Sequence, residues 1–154
     1  MGAVIGENGW RLVFGAGDRG IMGAVADSAR AAGAETLGVI PTHLIGQESN
    51  TRRDDQIITE TMHERKKVML MNADAVAVLP GGAGSLDEFF EVLTWAQLGL
   101  HAKPIVLVDV EGYWQPLLAL IDNVIDQGFA EASLRNLFMV AQGVGDVAGL
   151  IKKT

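Results

Sequence analysis

With 154 residues, 49% of them hydrophobic and 20% charged, the chain has the makeup of one globular domain rather than a disordered segment. A net charge of −7 argues against nucleic acid as a bulk partner, and no apolar run approaches the ~20 residues of a membrane span. The lack of cysteine excludes disulfide scaffolds, thiolate metal sites and cysteine nucleophiles; no basic segment leading into a cleavable apolar one opens the chain, so a soluble, cytoplasmic protein is expected.

Apolar strand, turn and helix recur along the chain. Residues 3–9 read as the end of a helix running into its glycine stop, as though a strand and most of a helix were missing before it. A strand at 11–14 leads through Gly15-Ala-Gly-Asp-Arg-Gly20 into a helix at 21–32. The next strand, 36–40, is closed by Pro41, and 42–55 is a polar loop of a length that often carries function. A short strand at 56–59 precedes a helix over 61–72. Residues 75–79 suit a strand buried on both faces; Pro80 ends it and three glycines follow. Ser85 is expected to open an amphipathic helix, with Asp87 and Glu88 in its first turn. A strand at 104–108, a helix at 113–127 stopped by Gly128, a strand at 138–140 and a helix at 145–152 complete the chain. This alternation predicts an α/β fold: a Rossmann-like, doubly wound parallel sheet in three layers, forming a single domain over 1–154.

Gly15-Ala-Gly-Asp-Arg-Gly20 matches G-x-G-x-x-G after a strand. Dinucleotide binding needs an acidic residue at the far end of the next strand, whereas Glu35 stands at its start. The other readings are a turn lining a smaller ligand, through Gly15 and Gly17, and close packing of helix on strand. Gly81, Gly82 and Gly84 lie between a strand and a helix N-terminus, where unpaired N–H groups and the helix dipole converge on an anion. Ser85-Leu-Asp-Glu88 also fits a capping box, in which the two side chains satisfy each other's amides. A cap needs no preceding glycine, whereas an approaching phosphate needs the room that three leave. A phosphate site with Glu88 beside it is the stronger reading.

Met62-His-Glu-Arg-Lys-Lys67 is either a solvated helix face or a source of cations at the sheet edge where the glycine loops emerge. There Arg65 could fork onto a phosphate or carboxylate. His63 reads as a surface or packing residue, and no histidine pair has metal-ligand spacing. Glu88, Glu91 and Thr94 share a helix face, with Thr94 a candidate hydroxyl contact and Trp95 a core residue.

Pro80-Gly-Gly-Ala-Gly-Ser-Leu-Asp-Glu88, together with Met62-His-Glu-Arg-Lys66, resembles the LOG ("Lonely guy") family of cytokinin riboside 5′-monophosphate phosphoribohydrolases, often mislabelled lysine decarboxylase. The family hallmark is PGGxGTxxE with an M-H-x-R-K segment upstream. The likeness continues through Gly15 to Gly23, Gly38-Val-Ile-Pro41, Thr94-Trp-Ala-Gln-Leu-Gly99 and Lys103-Pro104, nearly the whole chain. It implies Arg65 and Glu88 as the catalytic pair. It implies substrate contacts along Gly81, Gly82, Ala83, Gly84, Ser85, Leu86 and Asp87, with Gly82, Gly84 and Ser85 around the 5′-phosphate. Lys66, Thr94 and, across a gap in the loop, Glu48 are implied as further nucleotide contacts. Ser85 replaces the family threonine, keeping the hydroxyl and losing a methyl. The family's first strand and its Gly-Ser-Ser phosphate turn are absent.

The implied reaction is hydrolysis of the N-glycosidic bond between an adenine-type base and ribose 5-phosphate, through an oxocarbenium-like transition state. An ionised Glu88 would stabilise that cation or activate water, and Arg65 would anchor the phosphate or polarise the nucleotide. The resemblance also implies a homodimer. The expected partner is a nucleoside monophosphate, with no nucleic acid, membrane, metal or cofactor. The rival is a nucleotide or cofactor carrier on the same cradle, which has no need of the Arg65–Glu88 pair. A lysine decarboxylase using pyridoxal phosphate would need a Schiff-base lysine and usually a far larger chain.

Overall fold

The computed structural model describes residues 1–47 and 55–152, and by its internal packing the chain divides into two compact units, Met1–Ala73 and Asp74–Thr154. In the first unit, α1 (Gly2–Glu7), β1 (Leu12–Phe14), α2 (Gly20–Ala31), β2 (Thr36–Pro41), a 3-10 turn (Thr42–Leu44), β3 (Asp55–Thr59) and α3 (Met62–Met71) follow one another. The three strands pair in the order β1-β2-β3, all parallel, with Phe14 opposite Gly38 and Pro41 opposite Thr59. The central strand β2 is buried from Leu37 to Pro41, the pattern of an apolar strand covered on both faces. Small residues let α1 lie close on α2: a Cβ at Gly2 or Gly6 would overlap Ala29 or Ala32.

The second unit runs β4 (Val76–Val78), α4 (Ala83–Gln97), β5 (Ile105–Val108), a 3-10 turn (Val110–Gly112), α5 (Gln115–Asp126), a 3-10 stretch (Ala132–Leu137), β6 (Met139–Ala141) and α6 (Val144–Ile151). Its strands are again parallel, ordered β4-β5-β6. Phe89 and Leu93 of α4, Leu117, Leu118 and Ile121 of α5, and Leu134 and Phe138 pack on Val78, Ile105 and Leu107. Phe89 and Phe138 meet edge to face at 5.5 Å between centroids, a favoured aromatic geometry. Among the described residues no helix is long and apolar enough to cross a membrane.

The α/β class and the parallel strands agree with the sequence, and the expected elements recur within two residues of their expected ends. Four local expectations do not hold. β4 is not buried on both faces: Ala77 is exposed, whereas β5, the centre of the ladder, is buried throughout. Helix α4 begins at Ala83 rather than Ser85, so Asp87 and Glu88 stand in its second turn. Its N-cap is Gly82, with no side-chain cap, so the Ser85–Glu88 capping box does not form. Trp95 is half-buried and stands outside the aromatic core.

A capping box does exist one helix earlier. Thr61 Oγ1 accepts from the Glu64 amide at 3.2 Å, and Glu64 Oε2 accepts from the amides of Thr61 and Glu60 at 3.1 and 2.8 Å. These bonds satisfy donors that the start of α3 would otherwise leave unpaired.

Candidate active site

The glycine turn of the first unit is filled at its start by its own neighbours. Arg65, on α3, is 5% exposed, and its guanidinium reaches the carboxyl ends of two strands. Its Nη2 donates to Gly15 O at 2.7 Å and its Nε to Val39 O at 3.1 Å. A Cβ at Gly15 would overlap that guanidinium, so glycine is required there by the arginine. Gly17 is buried and its amide meets Met22 Sδ at 3.2 Å, and a Cβ at Gly23 would overlap the Asp18 carbonyl. Ala16, between the two candidate glycines, holds φ 60, a left-handed conformation rare for a residue with a side chain. Packing accounts for what Gly15, Gly17 and Gly23 touch, whereas Gly20 is exposed at φ 60 with nothing near its absent Cβ. Glu35 precedes the start of β2, so that strand brings no acid to its carboxyl end to meet a ribose.

The glycine turn of the second unit is open. It follows the carboxyl end of β4 and enters α4 at Gly82, whose backbone is extended at φ −94° and ψ −151°. Nothing lies within 4 Å of a Cβ built at Gly82 or Gly84, and both residues are exposed, as is Ala83. The first N–H groups of a helix have no partner inside it, so α4 presents amides and the positive end of its dipole. Gly81 differs from its neighbours: a Cβ there would overlap Ser85 Oγ, so the serine hydroxyl lies against the Gly81 backbone. Glu88 and Leu86 are half-buried and Asp87 exposed. Glu88 falls one turn after Gly84, on the helix that starts from the open loop.

Of the remaining candidates, Lys66 is half-buried, Thr94 is exposed, and His63 is exposed on α3. Glu48 lies outside the described residues. Sequence reasoning missed Tyr113, which bonds to the open loop, and Asp109, which holds the turn that carries the tyrosine. Tyr113 Oη donates to Gly81 O at 2.8 Å across 32 residues of chain. Asp109, 2% exposed at the end of β5, accepts from the Trp114 amide at 2.6 Å and from the Gln115 side chain. The local signal for Asp109 was an acid directly after a wholly apolar strand, where buried carboxylates take up the amides of a turn.

The family described as "possible lysine decarboxylase" matches residues 22–151. A cytokinin riboside 5′-monophosphate phosphoribohydrolase of Mycobacterium tuberculosis is 44% identical over 147 residues, covering 95% of this chain and 79% of its own length. The chain belongs to the LOG family. A probable cytokinin riboside 5′-monophosphate phosphoribohydrolase of Oryza sativa subsp. japonica is 40% identical over 148 residues, and the chain spans 64% of its length. Among solved structures, the molybdenum cofactor carrier protein of Chlamydomonas reinhardtii matches with a TM-score of 0.71 at 25% identity, over 99% of this chain and 81% of that one. LOG membership accounts for the two spaced motifs, and the fold is shared with a protein named for carrying a cofactor.

Proposed function

We propose that this LOG-family chain hydrolyses the N-glycosidic bond of adenosine 5′-monophosphates, including N6-prenylated ones, releasing the free base and ribose 5-phosphate. The observation that carries the proposal is the uncapped, exposed start of α4, with open space at Gly82 and Gly84 and Glu88 one turn on. Named relatives in Mycobacterium and rice support the substrate class.

In this proposal the amides of Gly82, Ala83 and Gly84 and the Ser85 hydroxyl hold the 5′-phosphate, with Gly81, Leu86 and Asp87 shaping the loop. Binding energy from the phosphate orients the scissile bond. The Glu88 carboxylate stabilises the positive charge that develops at the anomeric carbon, or activates the attacking water. Arg65 is the second residue needed for turnover. Two of its nitrogens already serve backbone carbonyls, so it contributes by holding Gly15 and Val39 as well as by its charge. Lys66, Thr94 and Glu48 complete the nucleotide contacts, and Gly15 and Gly17 contribute through the shape of their turn. The protein works as a cytoplasmic homodimer of single-domain subunits.

Incubation of the chain with AMP and with isopentenyladenosine monophosphate tests the proposal. Free base and ribose 5-phosphate in equal amounts support it. The likeness to a molybdenum cofactor carrier favours a second reading, a carrier that binds through the same loop without hydrolysis. Tight nucleotide binding with no base released would select the carrier.

A further inference from the structure

Two turns at the carboxyl ends of adjacent strands meet in the second unit. One is the loop after β4 that holds Gly81; the other, after β5, holds Tyr113. We infer that Tyr113 is a positioning residue for the α4 loop, its hydroxyl setting the direction of the Gly82 N–H toward a bound phosphate. This rests on the phosphate-binding role given to that loop above.

The argument begins with one peptide plane. Tyr113 Oη donates to Gly81 O at 2.8 Å. In a planar trans peptide the C=O of one residue and the N–H of the next point in opposite directions. Fixing the Gly81 carbonyl on the tyrosine therefore turns the Gly82 N–H away from it. Gly81 and Gly82 are the residues least able to fix that plane themselves, since neither has a side chain to restrict the backbone. A glycine pair gives room for an anion and surrenders control of its amides; a hydrogen bond from outside the loop restores control.

Tyr113 is itself held firmly although half its surface is exposed. Its ring stacks edge to face on Trp114 at 4.8 Å between centroids. Trp114 is buried, and its amide is fixed by the buried Asp109 carboxylate. The intervening turn carries Glu111 at φ 54 and Gly112 at φ 76. A glutamate in the left-handed region is strained, and such strain persists where the surrounding structure over-determines it. Here the surroundings are the two bonds of Asp109 and the bond of Tyr113. None of these residues lies in the motifs that define the family likeness.

Tyr113→Phe keeps the ring and its packing and removes only the hydroxyl. The expected result is a rise of roughly 3- to 10-fold in the KM for AMP, the scale of one neutral hydrogen bond, with kcat within twofold. The dissociation constant for ribose 5-phosphate, measured by calorimetry, should rise by the same factor. A purely structural tyrosine would lower the thermal midpoint and leave KM and the ribose 5-phosphate constant untouched, which would overturn the inference. The calorimetric arm separates this inference from the hydrolytic proposal. If the unsubstituted chain binds ribose 5-phosphate but releases no base, hydrolysis fails while weakened binding by Tyr113→Phe still upholds the positioning role. If the unsubstituted chain releases base while Tyr113→Phe changes neither KM nor the ribose 5-phosphate constant, hydrolysis stands and the positioning role falls.

Discussion

The chain contains two glycine turns with one sequence grammar: each follows a parallel strand and opens a helix. In the first, Gly15 is filled against the Arg65 guanidinium and Gly17 is buried beside Met22, while Gly20 is exposed at φ 60. Gly81 to Gly84 is packed only at its first residue, against Ser85, and beyond that Gly82 and Gly84 face empty space. Apart from a left-handed backbone, as at Gly20 and Gly128, a glycine is thus present for one of two physical reasons. It makes room for the protein's own atoms or for someone else's, and what a methyl group would meet decides between them.

The comparison can be broken at either turn, and the largest effect belongs to Arg65. Arg65→Ala would leave the Gly15 and Val39 carbonyls buried without their charged donor, costing about 3 kcal/mol of stability. Urea denaturation reads that loss, and turnover of AMP should fall at least a hundredfold. Unchanged stability would mean that the arginine serves only chemistry. Glu88→Gln comes next: kcat should fall at least a hundredfold, in the range of an oriented catalytic carboxylate. Its unfolding midpoint should stay close to that of the unsubstituted chain, because the amide is isosteric and the site half-exposed. Wild-type-like turnover by Glu88→Gln would remove Glu88 from the mechanism.

Gly15→Ala should cost roughly 1–3 kcal/mol, since the methyl must displace a guanidinium anchored by two hydrogen bonds. Gly84→Ala sharpens the contrast from the other side. Gly84 is the second residue of α4, exposed, with nothing near its absent Cβ. Alanine there should stabilise the fold by roughly 0.5–1 kcal/mol through helix propensity.

The sequence carried the alternation of strands and helices because buried strands are apolar runs and helices carry their own stop signals, such as Gly128 at φ 78. Contacts that depend on which strand ends lie side by side were not legible. Arg65 was legible as a cation at the sheet edge, but only the pairing of β1 with β2 shows the two carbonyls that it meets. Tyr113 and Gly81 are 32 residues apart and meet because β4 pairs with β5. The start of α4 was misread for a local reason. Ser85-x-x-Glu88 and Thr61-x-x-Glu64 are the same capping pattern, but only the second has an extended residue in the cap position. At α4 that position is taken three residues earlier by Gly82, which needs no side chain to adopt it.

Calorimetric titration of ribose 5-phosphate into Gly84→Ala most directly tests whether the α4 loop is open for a phosphate. The account expects affinity to fall about tenfold, equivalent to about 1.4 kcal/mol, in a protein more stable than its parent. Undiminished affinity would contradict it, because a methyl group would then occupy that space without touching the ligand.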